Sequence, residues 1–144
     1  MKKLLLAAMF AATAFNAAAA EKISFGVSAT YPPFESMDAN NQIVGFDLDL
    51  AKALCKQMQA DCTFTNHAFD SLIPALKFKK YDAVISGMDI TPERSKQVAF
   101  TDPYYANSAL VIAKKDAFHS FADLKGKRIG MENGTTYSFY TNRR

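Results

Sequence analysis

The feature that most limits the fold of this chain is the order in which strand-like and helix-like apolar patterns alternate between Lys22 and Ser86. From Lys22 to Ser28, Ile23, Phe25 and Val27 alternate with Lys22, Ser24 and Gly26, as in a strand with one buried face. From Phe46 to Gln59 the pattern becomes helical: Phe46, Leu50, Ala51, Leu54, Cys55 and Met58 gather on one side of a wheel, with Asp49, Lys52 and Lys56 opposite. Cys62 to Asn66 reads as a second strand. Asp70 caps a helix reaching about Phe78, with Pro74 tolerated in the first turn, and Tyr81 to Ser86 reads as a third strand. Strand, helix, strand, helix, strand at these spacings predicts parallel strands in an α/β layer. Ligands of such sheets bind beyond the carboxyl ends of the strands. The Tyr31 loop, Phe69 and Ser86 all fall at such ends and point to one site.

The joining segments carry the chemistry. Tyr31-Pro32-Pro33-Phe34 breaks the first strand, because two prolines remove consecutive N–H donors and hold the backbone extended. Asp38 to Asn41 reads as a turn and Ile43-Val44-Gly45 as a short return. Asp47 and Asp49 fall in the first turn of the following helix, where the dipole favours acids. Ser86-Gly87-Met88-Asp89 is a small-residue turn followed at once by a Thr91-Pro92-Glu93 helix start and Arg94. A turn that offers backbone N–H groups beside a fixed guanidinium suits a carboxylate. Further on, Ala109–Ala113 and Lys127–Met131 read as strands, with about one helical turn at Phe121–Leu124 between them. Glu132-Asn133-Gly134-Thr135-Thr136 is a second candidate anion-receiving turn.

Lys2 and Lys3 precede an apolar run from Leu4 to Phe15, and Ala18-Ala19-Ala20 follows, which predicts a secretory signal peptide cleaved after Ala20. The run is short for a retained membrane anchor. Removing it leaves 15 of the 17 basic residues against 14 acids, so the formal charge falls from +3 to +1. A nearly neutral chain argues against electrostatic binding to nucleic acid or to a membrane surface. In an oxidising compartment the two cysteines, Cys55 and Cys62, most simply form one disulfide, worth about 2.5 kcal/mol on the chain-entropy view. A metal site would need more ligands than His67, so no metal or cofactor is expected. His67 and His119 stand alone, with no nucleophile motif beside them, and neither is assigned to catalysis.

Tyr-Pro-Pro-Phe-Glu at 31–35, Gly-Phe-Asp-Leu-Asp-Leu-Ala at 45–51, Ser-Gly-Met-Asp-Ile-Thr-Pro-Glu-Arg at 86–94, Phe-Thr-Asp-Pro-Tyr-Tyr at 100–105 and Leu-Lys-Gly-Lys-Arg-Ile-Gly at 124–130 occur in that order. Together they resemble the periplasmic polar amino-acid-binding proteins of ABC importers, and residues 21–136 look most like the arginine-binding branch. The cysteine pair also matches the disulfide position of the basic-amino-acid branch. The resemblance implies a two-lobe α/β fold closing on one amino acid. Residues 1–20 would be the signal peptide, 21–108 lobe one without its return segment, and 109–144 the hinge crossing and the beginning of lobe two. Family members are longer, and Tyr137 to Arg144 does not continue their pattern, so the chain is expected to be a partial product.

By motif position Arg94 would hold the ligand α-carboxylate, helped by the backbone of Gly87 or Met88 and by Thr136. Tyr31 and Phe69 would sandwich the side chain, Ser86 would accept hydrogen bonds, and Asp89 stands where relatives often have a small hydroxyl residue. Ser28 occupies a position where relatives selecting other cations can carry an acid, which leaves Asp89 and Glu35 as the acids available for a cationic side chain. The function implied is periplasmic capture of L-arginine or another basic amino acid by a monomer, for delivery to permease subunits in the inner membrane. Two other readings stand beside it. One is a non-functional remnant, since one lobe leaves the ligand open to water and would bind weakly or not at all. The other is an exported dehydratase-type enzyme on the same scaffold, with Asp89 or Glu35 as acid or base.

Overall fold

The structure, a computed structural model, describes residues 20–137. Residues 1–19 of the expected signal segment and the end of the chain from Ser138 onward lie outside the described residues. β1 (Lys22–Val27) is the central strand of a parallel sheet. It pairs with β5 (Asp61–Asn66) in register from Lys22 opposite Asp61 to Val27 opposite Asn66. On its other side β6 (Ala83–Val84) sets Ala83 opposite Phe25 and Val84 opposite Gly26, so the order is β5-β1-β6. Between β1 and the first helix, β2 (Thr30–Tyr31), β3 (Glu35–Met37) and β4 (Ile43–Val44) form a small antiparallel meander. Asp38 closes its turn, its Oδ1 accepting from the amides of Asn40 and Gln42 at 2.8 Å.

Alternation along β1 divides the core between two faces. Phe25 and Val27 pack with Leu48, Ala51 and Cys55 of α1 (Phe46–Met58) and with Ile85. On the other face Leu72 and Ala75 of α2 (Leu72–Lys77) pack with Tyr81, with Val84 partly buried against them. Gly26 sits directly under the Tyr81 ring, where any side chain would collide with it. The Tyr81 hydroxyl donates to the Leu72 carbonyl at 2.7 Å, which satisfies the one polar atom of that cluster. The expected parallel α/β layer is therefore present, and Cys55 and Cys62 form the disulfide between α1 and β5. The ring of His67 packs against Tyr81, so it takes no part in a site with the cysteines.

Four expectations need correction. The buried stripe of α1 is Asp47, Leu48, Ala51 and Cys55, whereas Phe46, Leu54 and Met58 are exposed. The rotation is set at the helix start. Gly45 has φ 129°, a conformation that suits glycine, and the amides of Phe46 and Asp47 donate to the carbonyls of Pro33 and Phe34. Asp47, expected as an ordinary helix-start acid, is fully buried. The second helix begins after a 3-10 turn at Phe69–Ser71, with no side-chain cap, so Asp70 does not serve as one. The third strand is ladder-paired only at Ala83–Val84.

The expected strands at Ala109–Ala113 and Lys127–Met131 are not formed. A strand exists by pairing, and neither segment joins a ladder among the described residues. Leu110 and Ile112 are 85 % and 95 % exposed, an apolar pattern without a surface to cover it. The turn at Phe121–Leu124 does form, as a 3-10 helix closed by a capping box between Ser120 and Asp123.

Candidate functional site

Parallel pairing brings the ends of three strands to one edge, and hydrogen bonds between their loops hold them there. After β1, the amide of Ser28 donates to Ser86 Oγ at 2.9 Å and that of Ala29 to Asn66 Oδ1 at 2.9 Å. The amide of His67, after β5, returns a bond to the Val27 carbonyl at 2.8 Å. The three loops anticipated at one site are thus tied to one another directly. Ser28 and Ser86 are both buried at the junction.

The Ser86–Asp89 turn depends on Gly87, whose φ of 48° lies in the left-handed region and whose Cα faces the Tyr31 ring. Its amide is committed inward, donating to Asp47 Oδ2 at 3.0 Å, so it is not turned toward a ligand carboxylate. The same Oδ2 accepts from the Tyr104 hydroxyl at 2.9 Å. Desolvation and the adjacent Asp47 push that phenol up, so it remains a donor. Tyr31 stacks on Phe34 with centroids 5.1 Å apart, and its hydroxyl accepts from Asn107 Nδ2 at 3.2 Å.

The helix start at Thr91 forms as the sequence implies. Thr91 Oγ1 accepts from the Arg94 amide at 3.2 Å, and Pro92 occupies the first position of α3 (Pro92–Ser95). This single turn projects Arg94 back across the site. Its Nη1 donates to the Asp89 carbonyl at 2.7 Å and its Nη2 to the Gly134 carbonyl at 2.7 Å, and its guanidinium lies over the Phe69 ring, 5.6 Å from the centroid. Burial pulls the Arg94 pKa down and Asp89 partly opposes this. Among the described residues two of its five N–H donors are thereby used, which leaves three.

The Glu132–Thr136 turn folds onto these residues. Thr136 Oγ1 donates to Asp89 Oδ2, and Thr30 Oγ1 donates to Glu132 Oε1 at 2.7 Å. Gly134 lies so close to Asp70 that a Cβ would stand 2.9 Å from the Asp70 Cα. Beneath the turn a small cavity of about 40 Å³ is lined by Ser28, Tyr31, Glu35, Phe69, Ser86 and Glu132 among others. A larger groove of about 500 Å³ starts at the same Ser86–Asp89 turn and runs along β6 against Val98–Tyr105, away from Arg94 and Phe69. It is mainly apolar, so the small cavity carries the recognisable chemistry.

The eight residues singled out from the sequence therefore surround one place. Tyr31, Phe69 and Ser86 bound the cavity, Gly87, Met88 and Asp89 form the adjoining turn, and Arg94 and Thr136 bridge that turn to the Glu132–Thr136 segment. Glu35, one of the two acids available for a cationic side chain, also lines the cavity. It is 1 % exposed, its Oε1 accepts from Ser86 Oγ at 2.8 Å, and burial, with Asp47 beside it, pushes its carboxyl up to about 9. Asp47, Tyr104 and Glu132 are site-supporting residues that local pattern did not single out. Each lies in a stretch the sequence marks, Asp47 in the Gly45–Ala51 motif, Tyr104 in the motif at 100–105 and Glu132 in the Glu132–Thr136 turn.

The sequence pattern of the bacterial extracellular solute-binding proteins, family 3, matches residues 23–136. The chain belongs to that family. Across 140 residues it is 81 % identical to the ABC transporter arginine-binding protein 1 of Escherichia coli K12, a match that covers 97 % of this chain and 58 % of that one. Family 3 is equally evident in three dimensions. A Salmonella typhimurium periplasmic binding protein, described in terms of its high arginine specificity, superposes with a TM-score of 0.83 at 60 % identity over 87 % of this chain and 56 % of that one. The arginine-bound form of domain 1 from a T. maritima arginine-binding protein, as a Phe57Trp mutant, matches with a TM-score of 0.56 at 49 % identity, over 58 % of this chain and 65 % of that one. The chain thus spans a little over half the length of the full-length relatives it matches.

Proposed function

We propose that this family 3 chain supplies the ligand-gripping half of a periplasmic protein that captures L-arginine or another basic amino acid for delivery to an ABC permease. The observation that carries this is the position of Arg94. Its guanidinium rests on Phe69 beside the cavity bounded by Tyr31 and Ser86, with three N–H donors left for an α-carboxylate. In this proposal Arg94 holds the carboxylate with the Met88 amide and Thr136, Tyr31 and Phe69 sandwich the side chain, and Ser86 accepts from its N–H groups. Asp89 orients Thr136. Aromatic faces attract a guanidinium by about 0.5 to 2 kcal/mol, which favours a cationic ligand over an apolar one.

Residues 21–108 would act as lobe one and 109–144 as the crossing and the start of lobe two, with residues 1–20 directing export and cleavage after Ala20. The protein would work as a monomer and bind without turnover. Its named relatives support this, being binding proteins for arginine, and an arginine-bound domain 1 among them supports a ligand site housed largely in one lobe.

The test is to follow the melting of the purified chain while titrating arginine, lysine, ornithine and histidine. A rise in melting temperature with one or more of them, largest with arginine, is expected. No rise with any of the four at millimolar concentration rejects the proposal in favour of a remnant without binding.

A further inference from the structure

Among the described residues, the small cavity at the site is lined by ionisable acids and by no cation. Its two acids, Glu35 and Glu132, are set among hydroxyls and aromatic rings. They are held differently. Glu35 is 1 % exposed and its Oε1 accepts from Ser86 Oγ at 2.8 Å, so it belongs to the enclosed wall. Glu132 is exposed and is carried by the turn that folds onto the site. Its Oε1 accepts from the Thr30 hydroxyl at 2.7 Å, the one side-chain bond it makes among the described residues. A carboxylate offers about four lone-pair positions, so about three of them remain for a ligand. Asp89, the third acid nearby, does not line this cavity: its Oδ2 takes the Thr136 hydroxyl, and its charge acts on Arg94.

We propose that Glu132 is the counter-charge for the ligand's cationic side chain, and the residue that makes the site prefer a cation over a neutral side chain of the same shape. The inference rests on the binding role proposed above for Arg94, Tyr31 and Phe69, and it supplies what those residues lack. Aromatic rings stack on any flat group and favour a guanidinium by only about 0.5 to 2 kcal/mol. A carboxylate that takes two parallel N–H bonds from a guanidinium adds both charge and geometry. The Thr30 bond restrains that carboxylate before a ligand arrives, which lowers the entropy lost on binding. A volume of about 40 Å³ holds little more than one water, so the turn stands further out when a side chain enters. The Thr30 bond is the contact Glu132 can then exchange for the ligand.

One short turn thereby serves both ends of the ligand. The Thr135 hydroxyl donates to the Glu132 carbonyl at 2.8 Å and closes the turn on itself. The Gly134 carbonyl accepts from Arg94 Nη2 at 2.7 Å, and Thr136 Oγ1 donates to Asp89 Oδ2. These two bonds tie the turn to the carboxylate-gripping residues, while Glu132 at its start reaches the Thr30 side of the cavity. Carboxylate recognition and charge selection are therefore set by residues four apart on one turn.

The test compares L-arginine with L-citrulline, which keeps the length, the planar end and the α-carboxylate but carries no side-chain charge. Melting titrations of the unaltered chain, of Glu132→Gln and of Glu35→Gln give the apparent affinities. The unaltered chain should bind arginine about tenfold or more tightly than citrulline. In Glu132→Gln the amide oxygen still accepts from Thr30, so the ligand-free variant should melt with the unaltered chain. Its arginine affinity should fall to within about twofold of citrulline, with citrulline binding unchanged. Glu132→Ala, at the same exposed position, should read likewise and serves if the amide variant does not fold. A merely structural role would weaken both ligands equally, and that result overturns the proposal. So does a preference for arginine that survives in Glu132→Gln, and its loss in Glu35→Gln would then assign the charge to Glu35. Equal binding of the two ligands by the unaltered chain rejects this inference alone. Binding of neither rejects the proposed function and this inference with it.

Discussion

Arg94 lies over the face of Phe69, its guanidinium carbon 5.6 Å from the ring centroid, although the two residues come from different loops at the carboxyl edge of the sheet. The contact matters because it holds a long, flexible cation in one place. Nη1 and Nη2 are fixed by the carbonyls of Asp89 and Gly134, and the ring supports the plane from below. A guanidinium so restrained loses little further freedom on gripping a carboxylate.

Phe69 therefore has two tasks, supporting Arg94 and facing the ligand side chain. Phe69→Ala should weaken arginine binding by about 1 to 3 kcal/mol, from the loss of cation–π contact and of restraint on Arg94. Phe69→Tyr should retain most of it. Calorimetric titration of the two variants checks this, and equal affinity in Phe69→Ala would remove Phe69 from the site.

Gly26 offers a test of the sheet that positions the site. The Tyr81 ring covers its Cα, so a methyl group there must displace the ring and with it the hydroxyl bond to Leu72. Gly26→Ala should destabilise the chain by about 1 to 3 kcal/mol, as overpacking of a dense core does. Urea unfolding gives the value, and an unaltered midpoint would mean that Tyr81 does not pack as described.

Much of this architecture is legible in the residues. β1, α1 and β5 each show their period, Thr91 and Pro92 spell out a helix start by capping chemistry, and the strand ends converge as a parallel sheet requires. The rotation of α1 is not legible, because it is set by carbonyls of Pro33 and Phe34 at the helix start and not by the balance of its apolar face. Nor is the burial of Asp47, whose donors Gly87 and Tyr104 lie 40 and 57 residues away. Ala109–Ala113 carries a strand pattern that only a partner strand can realise, and none pairs with it among the described residues. At the site, residue types announced the chemistry of Arg94, Tyr31 and Phe69. That the Gly134 carbonyl would take one of the Arg94 donors was visible only once the chain had folded.

The central claim is that Arg94 receives the α-carboxylate of an amino acid. The most direct measurement compares L-arginine with agmatine, which keeps the guanidinium but lacks the carboxylate, in melting titrations of the chain and of Arg94→Ala. Arginine should raise the melting temperature of the unaltered chain well above the effect of agmatine. Arg94→Ala should abolish that difference, since losing such a partner costs about 2 to 5 kcal/mol. Equal shifts from the two ligands, or an undiminished arginine shift in Arg94→Ala, would contradict the account.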